Sequence, residues 1–167
     1  MDQLTKPDFS GKHFFIGIDV HKRQWTVAIG CGDLLLKNFS MKPSPAELSR
    51  RLNKDYPGGI FHSVYEAGFC GFWIHRELIK LGIDNIVIHP ADVPTTQKQR
   101  HNKSDKVDAR KLARHLYDKS LEAIYVPTEA QQHLRALSRI RKTLVIDQTR
   151  HKNRIKGFLG RNGIEIA

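Results

Sequence analysis

His13-Phe14-Phe15-Ile16-Gly17-Ile18-Asp19-Val20, residues 13–20, decides the fold. The run is β-rich and almost continuously apolar, as a central strand must be, and it empties into the polar turn His21-Lys22-Arg23-Gln24. Working outward, Trp25 to Ile29 alternates as a second strand. Cys31-Gly32-Asp33 supplies turn chemistry, and Leu34 to Phe39 completes an antiparallel three-stranded meander. Ser44-Pro45-Ala46-Glu47 sets an N-cap, a first-turn proline and an early acid in the order that starts a helix, which can run to about Asn53 before Tyr56-Pro57-Gly58-Gly59 breaks it. A fourth strand follows at Ile60 to Tyr65, then a helix carrying Phe72, Trp73, Leu78 and Ile79, then a short fifth strand, Asn85 to His89, stopped by Pro90. After a loop around Pro94, Ser104 can cap a helix to about Lys119. The order β-β-β-α-β-α-β-α predicts an α/β layer architecture with a mixed sheet.

Beyond Pro127 a separate element begins. Thr128-Glu129-Ala130-Gln131 fits the capping box, and no proline or glycine intervenes until Gly157, which predicts a helix of about 29 residues and ~43 Å. Ala130, Leu134, Leu137, Leu144, Ile155 and Phe158 keep 3-4 spacing, but Arg141, Gln148 and His151 interrupt the seam, so a helical hairpin or an oligomer contact is expected rather than a strong zipper. The expected division is a flexible arm at 1–10, an α/β domain at 11–126 and a basic long-helix extension at 127–167.

Composition narrows the function. The chain has 167 residues with 28 Lys and Arg against 17 Asp and Glu, a formal charge of +11, which points to polyanionic partners. At 40% hydrophobic and 27% charged it is neither disordered nor collagen-like. No stretch reaches the roughly 18 apolar residues of a membrane span and the first residues lack a signal core, so a cytoplasmic protein with no membrane partner is expected. Cys31 and Cys70 form no CxxC pair, so neither a disulfide framework nor a zinc ribbon is indicated.

Four carboxylates carry the chemistry. Asp19 ends the apolar run of the first strand and Glu66 ends the fourth; if those strands are parallel neighbours, the two acids lie side by side and call for a cation between them. In Ser104-Asp105-Lys106-Val107-Asp108-Ala109, a helical wheel places Asp105 on the apolar stripe of Ala109, Leu112, Ala113 and Leu116, with Asp108 at its border. A buried aspartate there costs several kcal/mol unless it is compensated. Together Asp19, Glu66, Asp105 and Asp108 suit two Mg²⁺ or Mn²⁺ ions for phosphodiester cleavage. The nine histidines show no HExxH or His-x-His spacing, so no imidazole set is expected. Each acid also has a plain structural reading: Asp19 as a turn cap, Glu66 as a loop start, Asp105 and Asp108 as first-turn helix acids.

The basic surface surrounds these acids. Between Lys98 and Lys119 stand eight Lys or Arg and three Asp, and from Pro127 to Ala167 nine Lys or Arg and three acids. Arg150, Lys152, Arg154 and Lys156 repeat around the helix, which suits a wrapped phosphate contact, the alternative being a solvated helix. Lys22, Arg23, Arg100, Lys103, Arg110, Arg114, Arg150 and Arg154 are the candidate nucleic-acid-binding residues. Trp25, Phe69, Phe72 and Trp73 could stack on bases but are expected in the core.

Gly17-Ile18-Asp19-Val20-His21-Lys22, Tyr65-Glu66-Ala67 and Lys103-Ser104-Asp105-Lys106-Val107-Asp108-Ala109 resemble, in order and separation, the three signatures of the insertion-sequence transposases related to the Piv DNA invertase, the IS-one-ten or DEDD family. Most of residues 13–160 resembles the N-terminal domain of those proteins. The resemblance implies an RNase H-like, RuvC-like fold in which Asp19, Glu66, Asp105 and Asp108 hold the divalent metals and Lys103 lies near phosphate. It also implies a DNA partner, a structured guide RNA, and a further domain with a nucleophilic serine, beyond these residues, without which recombination is incomplete. A homo-oligomer through the C-terminal helix is expected. The rivals are a Holliday-junction-resolvase-like or RNase H-like nuclease, a non-catalytic nucleic-acid-binding and oligomerisation module, and an actin-like ATPase, for which the chain is short of a second lobe.

Overall fold

The computed structural model describes residues 7–92 and 105–164, which fall into two units divided between Tyr125 and Val126. In the first unit the strands are β1 (His13–Val20), β2 (Trp25–Cys31), β3 (Leu34–Met41), β4 (Ile60–Glu66) and β5 (Asp84–Ile88). They form one sheet in the order β3-β2-β1-β4-β5. β1 runs antiparallel to β2 and parallel to β4, and β4 runs parallel to β5, so the sheet is mixed as the sequence predicts. Three helices flank it: α1 (Pro45–Asp55), α2 (Trp73–Lys80) and α3 (Asp105–Tyr117).

Gly17 explains how α3 seats on the sheet. A methyl group at that position would stand 2.0 Å from the Ala109 carbonyl oxygen and 2.5 Å from the Ala113 amide nitrogen, so the helix backbone lies directly against β1. Ala28, opposite Gly17 on β2, packs with Ala109 and Ala113 in the same contact. Small residues on both surfaces thus bring helix and strand unusually close. Further along, Leu112 of α3 joins Val64 and Ile88 in a second cluster over β4 and β5. Asn38 of β3 donates through Nδ2 to the Lys106 carbonyl at 2.8 Å and ties down the first turn of α3.

Because strand side chains alternate, Phe14, Ile16 and Ile18 point to the other face, where all three are buried and Phe14 packs on Tyr56 at the end of α1. α1 begins as its sequence requires, with Ser44 Oγ accepting from the Glu47 amide and Pro45 in the first turn. Of the expected N-terminal arm, residues 7–10 are described. Phe9 is docked: its amide donates to the Pro57 carbonyl at 2.9 Å and its ring meets Phe14 and Tyr56 edge-on. After α3 the chain returns to β5, where Ala123 bridges Ile88.

The second unit is a single helix, α4 (Glu129–Arg161), of 33 residues. Its capping box is formed on both sides, Thr128 accepting from the Gln131 amide and Gln131 accepting from the Thr128 amide. The helix runs through Gly157 and Gly160 where a stop was expected, since a glycine costs only about 1 kcal/mol in a helix interior. A helical hairpin within these residues is therefore ruled out. No residue of α4 is buried, and Leu134, Leu137, Leu144, Ile155 and Phe158 are all exposed.

Candidate metal centre

The parallel pairing of β1 with β4 ends at Ile18 and Tyr65, so Asp19 and Glu66 follow side by side at the carboxyl ends of the two central strands. By strand alternation both lie on the Gly17 face, beneath α3. Asp105 stands one helical turn before Ala109, the residue seated on Gly17, so the close contact fixes the distance from strand end to helix start. Open α/β sheets as a class bind ligands at this edge, outside the carboxyl ends of their parallel strands.

The side chains meet there. One oxygen each of Asp19 and Asp105 and one ring nitrogen of His21 all lie within 4.8 Å of one another. His21 Nε2 is 3.1 Å from Asp19 Oδ2 and 3.6 Å from Asp105 Oδ1. Partial burial pushes the Asp19 carboxyl above its usual range; His21 opposes that rise, and the charges of Asp105 and Asp108 add to it. Asp108 is thus within electrostatic reach of Asp19, while Glu66 adjoins Asp19 through the register of the strands. Neither belongs to the tight trio. Converging carboxylates whose charges add to the raised Asp19 pKa are a donor set suited to a hard divalent cation.

Several expectations change. Asp105 lies on the wheel position predicted for it, yet its side chain is 58% exposed, because the first turn of α3 overhangs the sheet edge and the stripe is buried only from Ala109 onward. His21, which the sequence places in a polar turn, stands beside Asp19 and Asp105. Trp25 is in the core at 1% exposure, but Phe69 and Trp73 are 61% and 46% exposed and leave the predicted core. Phe69 lies under the Lys22 ammonium, 5.8 Å from its ring centre.

Among the predicted nucleic-acid-binding residues, Arg23, Arg110 and Arg154 are exposed. The guanidinium of Arg114 is bound to Asp33 and, at 2.9 Å, to Asp118 within the fold. Arg150 pairs with Asp147 at 3.2 Å along α4. Arg100 and Lys103, together with the predicted cap Ser104, lie outside the described residues.

A mixed five-stranded sheet in this order, with acids at the ends of its central parallel strands and helices on both faces, defines an RNase H-like fold. Residues 16–162 match the family model of the IS110-type DEDD transposases, and the chain belongs to that family. Among curated proteins it is similar to y4rJ of Sinorhizobium fredii, which carries a transposase name, with 32% identity covering 90% of this chain and 42% of that protein. It is also similar to the transposase for insertion sequence element IS1533 of Leptospira borgpetersenii, at 29% identity over 91% of this chain and 45% of the relative. The chain therefore spans less than half the length of these relatives. Among solved structures, RuvC of Thermus thermophilus aligns over 66% of this chain and 99% of its own, with a TM-score of 0.46 and 14% identity. Among the described residues no helix is long and apolar enough to cross a membrane.

Proposed function

We propose that the first unit is the metal-dependent DNA-cleaving domain of an insertion-sequence transposase, acting on phosphodiester bonds during strand cleavage and exchange. The observation that carries this reading is the meeting of Asp19 and Asp105 at the carboxyl end of β1, with Asp108 and Glu66 at its margin, in a chain of the DEDD transposase family. Asp19, Glu66, Asp105 and Asp108 are the proposed ligands of Mg²⁺ or Mn²⁺. Such an ion supplies charge neutralisation at phosphate and acidity to a bound water or hydroxyl. The chain's own part is to hold the acids in place: Gly17 sets the helix-to-strand distance, and Asn38 anchors the first helical turn.

DNA is the proposed substrate, and a formal charge of +11 supports attraction to it. Lys22 and Arg23 in the β1–β2 turn and Arg110 on α3 are the proposed phosphate contacts nearest the acids, with Arg150 and Arg154 on the helical extension. A guide RNA, assembly into a homo-oligomer through the apolar residues of α4, and the boundary near residue 126 belong to the same proposal. The exposed leucines of α4 support the assembly, since a helix with an apolar stripe gains stability by burying it.

Calorimetric titration with Mg²⁺ and Mn²⁺ tests the centre. The wild-type chain is expected to bind, and Asp19→Ala and Glu66→Ala to lose binding while keeping their circular dichroism. Undiminished affinity in both variants sinks the reading.

A further inference from the structure

His21 is the member of the trio that the acid pattern does not explain. It occupies the β1–β2 turn two residues beyond Asp19, and its amide donates to the Gln24 carbonyl at 3.2 Å, which closes the turn and points the residue back over the end of β1. Neighbouring ligands around a divalent ion, each roughly 2.1 Å from the metal, stand about 3 Å apart. The 3.1 Å between His21 Nε2 and Asp19 Oδ2 has that spacing, and the 3.6 Å to Asp105 Oδ1 exceeds it by an amount an exposed side chain can take up. The three residues also come from three places, a strand end, a turn and a helix start, so their meeting is a product of the fold rather than of sequence proximity alone. An imidazole at this point adds a donor atom without adding negative charge to a spot where Asp105 and Asp108 already burden Asp19.

We propose that His21 supplies a nitrogen ligand, through Nε2, to a divalent ion shared with Asp19 and Asp105, and that this mixed nitrogen and oxygen set selects Mn²⁺ over Mg²⁺. The inference rests on the metal-centre reading above and adds to it the identity of a ligand and the preference it creates. Mg²⁺ takes oxygen ligands and gives up water reluctantly, whereas imidazole suits first-row transition ions. The histidine therefore contributes little to Mg²⁺ affinity and much to Mn²⁺ affinity. In the metal-free protein the same nitrogen is hydrogen-bonded to Asp19 at 3.1 Å and lies 3.6 Å from Asp105.

The test uses the full chain, with Mn²⁺ and Mg²⁺ alone as probes. Pulsed electron paramagnetic resonance of the Mn²⁺ complex is expected to show coupling to ¹⁴N in the wild type and none in His21→Ala. In calorimetry, His21→Ala is expected to lose about tenfold in Mn²⁺ affinity and less than about threefold in Mg²⁺ affinity, one ligand's worth of discrimination. A wild-type Mn²⁺ complex without nitrogen coupling overturns the proposal while leaving an all-oxygen metal centre intact. So does an equal loss for both ions in His21→Ala. Failure of the wild type to bind Mn²⁺, or binding that survives Asp19→Ala, removes the centre itself and His21's role with it. His21 is exposed in a turn, so its replacement by alanine is expected to leave thermal stability near the wild-type value, which separates a ligand effect from a folding effect.

Discussion

The two ends of the parallel strands carry the same residue types and treat them in opposite ways. At the amino ends, His13 Nδ1 lies 2.9 Å from His62 Nε2, and His62 Nδ1 lies 2.9 Å from Asp84 Oδ2. In the tautomer of His62 that carries its proton on Nδ1, Asp84 accepts that proton and Nε2 accepts from His13 Nδ1. Phe15 stacks on His62 and Tyr117 meets Phe15 edge-on, so the chain of polar groups is walled by rings. At the carboxyl ends, Asp19 and Asp105 share a single imidazole, with Asp108 adding its field. At the first end the polar atoms are linked to one another in a chain. The other gathers two aspartates about one histidine, where the first gathers two histidines about one aspartate, and this excess of carboxylate is what the metal-centre proposal rests on.

Gly17→Val has the largest expected effect, because it removes the contact that creates the charged end. The added side chain meets the backbone of α3, which has no room to yield without moving Asp105 away from Asp19. A loss of about 3 kcal/mol or more is expected. Thermal unfolding and Mn²⁺ titration together check it: a variant that melts like wild type contradicts the close approach.

Asp19→Asn and Asp84→Asn sharpen the contrast as a pair. A native Asp19 pKa above its unfolded value means that the group's stabilising contribution is present below the unfolded value of 3.8 and is lost as pH rises through the folded one. The ionised carboxylate therefore weighs against the metal-free fold at neutral pH, and Asp19→Asn is expected to raise the metal-free melting temperature. It should abolish the ion-dependent stabilisation, which for wild type reaches about 2.7 kcal/mol at an ion concentration a hundred times Kd. Asp84→Asn should do the reverse, lowering the melting temperature and keeping the full response to the ion. Differential scanning calorimetry with and without Mn²⁺ reads both variants. Equal behaviour would erase the distinction between the two ends.

Tyr65 stands beneath the charged end and carries a smaller effect with a pH signature. Its hydroxyl donates to the Gly71 carbonyl at 3.0 Å and accepts from the His75 amide at 3.4 Å, fastening the loop after Glu66 to the start of α2. Burial pushes its pKa well above the ordinary value of 10.0. Stability held below pH 10 is then lost above it, by up to about 1.4 kcal/mol per pH unit, because the unfolded chain ionises there and the folded chain does not. Tyr65→Phe should cost about 1 kcal/mol at neutral pH and flatten the alkaline limb of a urea-denaturation series. A limb of unchanged slope would assign the alkaline loss to other groups.

The architecture was legible in the sequence because its strands are bounded by strong turn signals and its apolar runs have strand length. The adjacency of Asp19 and Glu66 followed from their shared position at strand ends, once the crossover helix made β1 and β4 parallel. What escaped was metric. A helical wheel puts Asp105 on the correct face but carries no knowledge of where the sheet stops, so its exposure could not be read. His21 in a polar turn looks like any solvated histidine until the chain beyond residue 104 folds back beside it. Gly17 did carry a signal, a glycine inside a buried strand, which marks close approach of another backbone. Gly157 misled for the opposite reason: its penalty is smaller than what a capped 33-residue helix can absorb.

His13 gives the smallest expected effect and the sharpest control. It is the exposed terminus of the amino-end chain, and its loss leaves His62 Nε2 able to accept from water instead. His13→Ala should therefore cost about 0.5 kcal/mol, near the lower limit for a hydrogen bond whose partner can be resolvated. Removing His21 from the other end is expected to cost as little in stability yet to change ion preference, so two exposed histidines with similar hydrogen bonds separate only when metal is added. A change in Mn²⁺ affinity on His13→Ala would mean that the amino end also feels the ion, and that the division of labour between the two ends of the sheet is false.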